Sequence, residues 1–197
     1  MIEHMFEQLA SAVAGVDPVD DGASLAALVA LDDRLHAKVL RSLAAFDAEA
    51  AWSLDGAASL GAWLKHHTDR SPGAGAGLAR VAKLLARLPE TTAAYDDGRL
   101  SRGQLEAITA NVTMRTVDHF AEAEVELLPC LFPLPAVDAA RVMQEWRTRI
   151  EALLDEKEAP DNERSLMLAA TFGRRWHGTL TLDDEGGTTL DSALALP

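Results

Sequence analysis

The chain has 197 residues, of which 48% are hydrophobic and 5% aromatic, and its formal net charge is −13. This length and composition suit one domain, or one and a half, with a real core, and they exclude wholesale disorder. The acidic balance argues against a protein that coats nucleic acid indiscriminately.

The sequence also predicts the compartment. Residues 1–6 contain no basic region followed by an apolar run, so they do not form a secretory signal. No apolar stretch approaches the ~20 residues that a membrane-spanning helix needs. The single Cys130 has no partner for an internal disulfide, which suits a reducing environment. We therefore expect a cytoplasmic protein without a membrane partner.

Apolar periodicity predicts helices over the first quarter of the chain. Residues 2–14 form a short amphipathic pattern, and a second pattern of almost thirty residues begins at Ser24 as a plausible N-cap and stops near Asp55. A helix of this length usually spans a bundle or pairs with another copy. The 24–52 segment is therefore a candidate homodimer contact.

A helix-turn-helix-like pair is predicted at residues 57–88. The first helix ends before a turn at residues 68–70, and the second begins with Ser71 as its N-cap and Pro72 at its first position. Pro89 ends the second helix.

A short helix follows and is predicted to end at Gly98 in the left-handed conformation. Ser101 and Gln104 have the spacing of a capping box, and Leu100 and Leu105 have that of a hydrophobic staple. The sequence therefore predicts a helix that begins directly after Ser101.

The last third of the chain changes character. Two more helices are predicted at 116–131 and 136–158, and residues 156–163 form a charged linker. Alternation in residues 165–184 around Gly173–Arg175 predicts a β-hairpin, and a further helix begins at about residue 185.

The predicted fold class is thus mainly α, a multi-helix bundle that contains a helix-turn-helix-like pair and has a C-terminal β-hairpin. We expect a helical domain at 1–158. We expect residues 159–197 to hold the hairpin and the start of a further helix, where the chain looks cut off.

Positive charge is concentrated beside the predicted helical pair. Residues 55–115 carry 8 basic and 6 acidic side chains, whereas residues 1–54 have a net charge of −6 and residues 116–197 of −9. DNA contact by this pair needs exposed side chains that hold phosphates. The candidate DNA-binding residues are Lys65, Arg70, Ser71, Arg80, Lys83 and Arg87. The alternative is an αα-hairpin with solvated basic residues, which is the commoner arrangement.

Three glycines in the second helix of the pair need an explanation, because each costs about 1 kcal/mol relative to alanine inside a helix. Gly73, Gly75 and Gly77 match neither a Walker loop nor a dinucleotide fingerprint. Close helix packing or a poorly formed first turn is the interpretation we favour. Close approach to a phosphate backbone is the alternative.

The sequence predicts no catalytic, metal or cofactor site. The six histidines are scattered, and Cys-x-x-Cys, His-Glu-x-x-His and Gly-x-Ser-x-Gly patterns are absent.

Three stretches carry a family resemblance, namely residues 55–72, 79–108 and 166–195. In this order they resemble the domain of unknown function that precedes HNH endonuclease domains in actinobacterial proteins of the mycobacterial 13E12-repeat type. Its strongest marks are Asp55–Gly56, Trp63–Leu64, Leu88–Pro89, Gly98 and Gly186–Gly187. Residues 85–108 also resemble, more weakly, the segment after the helix-turn-helix of ParB-type partition proteins.

The resemblance implies a helical, DNA-associating module that delivers a nuclease domain to its target. HNH nucleases use a histidine base and a divalent metal, but the chain lacks that motif, so no catalytic residue carries over. It also implies that the C-terminal stretch is a connection to a nuclease domain. Gly73, Gly75 and Gly77 depart from the polar or larger residues that are usual there.

Two other functions stay open. One is a helical interaction or dimerisation module without DNA binding, in which the 24–52 helix pairs with its copy. The other is an enzyme in its own right, which metal-dependent nicking of plasmid DNA by this chain alone would reveal.

Overall fold

The computed structural model describes residues 2–158, 165–171, 175–182 and 184–194. These residues form nine α-helices and one two-stranded hairpin, which confirms the mainly helical fold with a C-terminal hairpin. The helices are α1 Ile2–Ala14, α2 Gly22–Ala48, α3 Leu60–His67, α4 Pro72–Leu85, α5 Pro89–Asp96, α6 Arg102–Asn111, α7 Val117–Leu131, α8 Ala136–Glu158 and α9 Asp184–Leu194. The strands are β1 Ser165–Thr171 and β2 Arg175–Thr181, and a short 3-10 helix occupies Ala51–Asp55.

The chain divides into two compact units, residues 1–150 and 151–197. The boundary lies inside α8, whereas the sequence suggested a division after that helix. In the second unit β1 and β2 pair antiparallel, with Ser165 opposite Thr181. The predicted turn at residues 173 and 174 and the part of the charged linker after residue 158 lie outside the described residues.

The long helix α2 differs from its prediction at both ends. Asp21 is the N-cap, because its carboxylate accepts a 2.8 Å hydrogen bond from the backbone N–H of Ser24, so the helix begins before Ser24. Hydrogen bonding with Ser24 also lowers the pKa of Asp21. The helix ends at Ala48 because Ala50 adopts a left-handed conformation, with φ 47°, before the 3-10 helix. The 24–52 segment is therefore not one continuous helix.

Several local signals for helix starts and stops elsewhere are confirmed, but two bounds of the helical pair differ. Helix α3 begins at Leu60, after Ser59 as its N-cap, and not at residue 57. Helix α4 ends at Leu85, and Pro89 is the first residue of α5 instead of the end of α4.

Ser71 caps α4 by accepting a hydrogen bond from Ala74, and Pro72 is the first helical residue. Gly98 follows α5 with a φ of 74°, which glycine adopts without steric cost.

The predicted capping box at the start of α6 is present, and its glutamine also bonds to the residues at the end of α7. Ser101 and Gln104 exchange their two hydrogen bonds at 2.8 and 3.3 Å. The amide nitrogen of Gln104 also donates to the carbonyl oxygens of Leu131 and Leu134, at 2.9 and 2.7 Å. The same buried side chain thereby caps α6 and fixes the end of α7.

The main core lies among α2, α4, α5, α6, α7 and α8. Leu100 and Leu105, the predicted staple residues, are both buried in it. Its largest fully buried side chains include Leu40, Leu84, Leu88, Tyr95, Phe120, Leu131 and Met143. On α2 the buried residues are Ala37, Leu40 and Leu43, whereas Leu25, Leu28, Leu35 and Val39, which carry the apolar period of the sequence, are exposed.

A buried carboxylate supplies the cap that α5 lacks in its own sequence. Leu88 stands at the N-cap position and has no side chain that can accept a hydrogen bond. Glu124 of α7, 1% exposed, accepts hydrogen bonds from the backbone N–H groups of Thr91 at 2.8 Å and Glu90 at 3.3 Å. A negative charge at a helix N-terminus is favourable, so Glu124 holds α7 against the start of α5.

We expect Glu124→Gln to lower the free energy of unfolding by about 1.5–3 kcal/mol, because an amide N–H then faces a backbone donor and a charged hydrogen bond is lost. Urea denaturation measures this change. Glu122→Gln, at an exposed position of the same helix, is the matched control and should stay within about 0.5 kcal/mol of the original protein. Equal effects of the two substitutions would contradict the assigned role.

Candidate nucleic-acid interface

Helices α3 and α4 and the turn between them, residues 60–85, form the helical pair. Ser59 caps α3 by accepting a hydrogen bond from Ala62, and Thr68 donates its hydroxyl to the carbonyl of Leu64 at the other end. Asp69 takes the left-handed conformation, with φ 53°, and turns the chain into α4. The residues of this turn are all exposed.

The three glycines of α4 have two different environments. Gly75 is buried, and a methyl group there would lie 3.2 Å from the carbonyl oxygen of Gly61 and 3.5 Å from Cβ of Leu64. A methyl group at Gly73 or Gly77 would meet nothing within 4 Å. Close packing therefore explains Gly75 alone, and the other two leave a bare surface on α4.

A second apolar cluster packs the helical pair against the C-terminal end of α2. Leu60, Leu64 and Ala82 are buried there together with Leu43 of α2. The ring of Trp63 stacks on that of His67, with 4.6 Å between centroids, and its indole N–H donates to Asp55 at 2.7 Å. The orientation of α3 is thus set by packing on one face and a hydrogen bond on the other.

Three of the predicted cations point away from the fold. Lys65, Arg70 and Lys83 are exposed, and no ion pair joins any of them to another part of the chain that the structure describes. Lys65 lies near the end of α3, Arg70 in the turn and Lys83 near the end of α4. Ser71 is exposed beside Arg70, and its oxygen already serves as the cap of α4.

The other two predicted cations bind groups of the protein itself. Arg80 donates to the carbonyl oxygen of Thr109 in α6 at 2.7 Å, and Arg87 forms an ion pair with Asp118 of α7. Arg80 joins α4 to α6, and Arg87, which lies between α4 and α5, joins that connection to the first turn of α7. Contact of Arg80 and Arg87 with DNA stays a prediction. The structure adds that both side chains bind other parts of the protein. Sequence reasoning missed the two partners because they lie 29 and 31 residues away, with no local signal.

The charge of this region contrasts with the rest of the molecule. Residues 59–89 contain five basic residues and one acidic residue, Asp69, so their net charge is +4 in a chain of −13. A polyanion would be repelled by most of the acidic surface and attracted here.

A groove of about 220 Å³ runs beside α4, between α2 and α6. Gly77 and Ala74 form its α4 side, and His36 of α2 lines the opposite wall. Nδ1 of His36 lies 2.8 Å from the hydroxyl oxygen of Tyr95. Burial, and secondarily the guanidinium of Arg102, lowers the pKa of His36, and burial raises the pKa of Tyr95. Both groups are therefore neutral at pH 7, and one hydrogen bond joins them.

The described residues contain no group of three or more His, Cys, Asp or Glu side chains arranged to hold a metal ion. None of the described helices combines the length and the apolar composition needed to cross a bilayer. No family model, curated protein or solved structure matches the chain. The resemblance to the HNH-associated domain therefore stays a prediction.

Two alanine substitutions in α4 should change stability in opposite directions. Gly77→Ala adds a methyl group in open space and should raise the free energy of unfolding by about 0.5–1 kcal/mol. Gly75→Ala places one against the backbone of α3 and should lower it by about 1–3 kcal/mol. Thermal or urea unfolding of the two variants checks this, and stabilisation by both would show that α3 and α4 are not closely packed.

His36 should make the protein sensitive to mild acid. Because its pKa in the folded state lies below the ordinary value of 6.5, the unfolded chain binds the proton first, and stability falls as pH drops through about 6.5 toward the folded pKa. Unfolding measured between pH 5 and pH 8 should show a shallower decline for His36→Gln. His66→Gln, at an exposed position of α3, should keep the original profile; a decline for His36→Gln as steep as the original would contradict this assignment.

Proposed function

We propose that the helical pair binds the phosphate backbone of duplex DNA and that the chain is the non-catalytic, DNA-targeting part of an HNH-endonuclease-like protein. The observation that carries the proposal is the set of three exposed cations, Lys65, Arg70 and Lys83. They lie without acidic partners among the described residues, in the one region of the chain that is not acidic. The family resemblance supports the nuclease association.

The start of α4 suits close approach to a phosphate. The positive end of the α4 dipole favours an anion there, and the exposed Arg70 lies directly before Ser71, the N-cap. Gly73 is exposed and presents no side chain, so the first turn of the helix can come near a polyanion without steric conflict.

The composition of the first half of α4 also determines how well the helix can distinguish DNA sequences. Residues 72–79 are Pro, Gly, Ala, Gly, Ala, Gly, Leu and Ala, none of which has a side-chain donor or acceptor. Recognition of base edges needs such groups in the major groove. We therefore propose binding that depends on phosphate contacts and discriminates little between sequences.

In this proposal Arg80 and Arg87 hold the DNA-binding helical pair in position. Arg80 fixes α4 to Thr109, and Arg87 fixes the connection after α4 to Asp118, so together they hold the helix that carries Lys83. Their remaining N–H groups are available for further phosphate contacts, because both side chains are exposed.

A second candidate function is a protein-interaction module. The observation that favours it is that every residue from 3 to 32 is exposed, including many large apolar side chains. Binding to DNA and association with another protein use different surfaces and are compatible.

DNA binding is tested by the salt dependence of affinity, measured by fluorescence anisotropy of a labelled duplex. Each phosphate contact contributes about 0.9 to the slope of log K against log salt, so Lys65, Arg70 and Lys83 alone predict a slope of roughly −3, and contacts by Arg80 and Arg87 make it steeper. Lys65→Ala combined with Lys83→Ala should make the slope less steep by about 2.

The control removes two cations elsewhere. Arg141→Ala combined with Arg149→Ala changes the net charge equally, at two exposed positions of α8 that pair with neighbouring acids. It should keep the original slope. Absence of binding at low salt, or equal slopes for the two double variants, would overturn the proposal.

A further inference from the structure

Three aromatic rings follow one another beside the turn of the helical pair. The ring of Phe46 in α2 lies against that of Trp63 in α3, with 4.8 Å between centroids and 54° between planes. The ring of Trp63 in turn stacks on that of His67, and these two planes are only 12° apart. Phe46 and Trp63 are partly buried in the second apolar cluster, whereas His67 is exposed. The series therefore begins inside the protein and ends at its surface.

The ring of His67 is fixed before any ligand arrives. Its Nδ1–H donates to the backbone carbonyl oxygen of Trp63 at 3.1 Å, and the indole N–H of Trp63 is itself held by Asp55. These hydrogen bonds and the stacking set the orientation of both rings, so binding costs little further side-chain entropy. In the part of the chain that the structure describes, no ring other than Trp63 stacks on His67. The exposed side of the imidazole is thus available to a flat group.

The charges near His67 indicate which flat group fits. Lys65 lies two residues before it and Arg70 three residues after it, both exposed and without an ion pair to a described residue. An uncharged aromatic ligand gains nothing from these cations, whereas a nucleotide has a flat base and an anionic phosphate. Proteins that bind single strands combine the same two features, aromatic rings for the bases and basic residues for the backbone.

We propose that His67 is a stacking platform for one unpaired base of a DNA strand whose phosphates contact Arg70 and Lys65. This inference rests on the proposed function and narrows its substrate to DNA with unpaired bases, as in a single strand or an overhang. A base inside a duplex cannot use the platform, because neighbouring base pairs already cover both of its faces. Every base has a face that can stack, so the platform adds affinity without sequence preference.

Two single strands with the same number of phosphates test the proposal. One is an oligothymidine, and the other is a strand of equal length in which abasic sugars replace every nucleoside. The full chain should bind the oligothymidine about 5-fold to 100-fold more tightly, which is the effect of one stacked base. Fluorescence anisotropy at low salt measures both affinities. Equal affinities for the two strands would overturn the proposal.

Substitutions separate stacking from charge, and measurements at about pH 8 keep ordinary histidine side chains uncharged. His67→Ala should abolish the preference for the oligothymidine and leave the salt slope unchanged, because a ring is lost and a phosphate contact is not. Arg70→Ala should keep the preference and make the slope less steep by about 0.7, the contribution of one contact to a single strand. His67→Phe retains a ring and should keep most of the preference.

The matched control is His66→Ala. His66 is adjacent and exposed like His67, but it stacks on no ring among the described residues. This variant should keep both the preference and the slope, and circular dichroism should show the same helical content for all variants. Equal loss of the preference in His66→Ala and His67→Ala would overturn the proposal.

The stacking platform and the proposed function fail in different ways. Duplex binding with the expected salt slope, but without a preference for the oligothymidine, overturns the platform and leaves the proposed function standing. A preference for the oligothymidine without duplex binding supports the platform and overturns the duplex as the target. Absence of binding to the duplex and to both strands overturns both proposals.

Discussion

The contact between Gly75 and α3 determines how the helical pair presents its side chains. With no side chain at this position, the backbones of α3 and α4 approach until a methyl group would lie 3.2 Å from a carbonyl oxygen of α3. This closeness turns the apolar residues Leu60, Leu64 and Ala82 toward α2. The exposed turn and the three cations that have no ion pair with a described residue then face solvent together, and the proposed DNA contact depends on that arrangement.

The basic side chains of this protein fall into two groups: some bind other groups of the protein, and others are exposed without an ion pair to a described residue. Arginines at positions 80 and 87 bind a carbonyl and a carboxylate of the neighbouring helices, and Arg102 pairs with Asp32 and Glu106. Exposed ion pairs of this kind contribute little to stability individually, but they orient the helices that they join. Lys65, Arg70 and Lys83, which form no ion pair with a described residue, lie on the helical pair, so an acidic protein can still present basic side chains to a polyanion there.

Much of the helical architecture could be predicted because its signals are local. Ser71, Gly98 and the Ser101–Gln104 box act within one helical turn, and the structure shows each of them in its predicted role. The start of α2 was misplaced because Asp21 and Ser24 are both acceptable caps and only the backbone geometry decides between them. The end of α2 was missed because alanine gives no signal of a left-handed conformation.

The candidate site was predictable only in part, for a related reason. Composition located the basic region, but it could not separate the cations that point outward from those that bind Thr109 and Asp118. Those partners come from distant segments, and only the packing of α4 against α6 and α7 brings them near. The cap that Glu124 supplies to α5 could not be predicted for the same reason. Glu124 lies 33 residues from Thr91, whose backbone N–H donates to it.

The most direct test of the account is a chemical-shift map of the ¹⁵N-labelled protein during titration with a short duplex. We expect the largest amide shifts at residues 65–74 and around Lys83, with a smaller response along α8. Shifts concentrated in α1 and α8, or no shifts at low salt, would contradict the assignment of the helical pair as the DNA-binding surface.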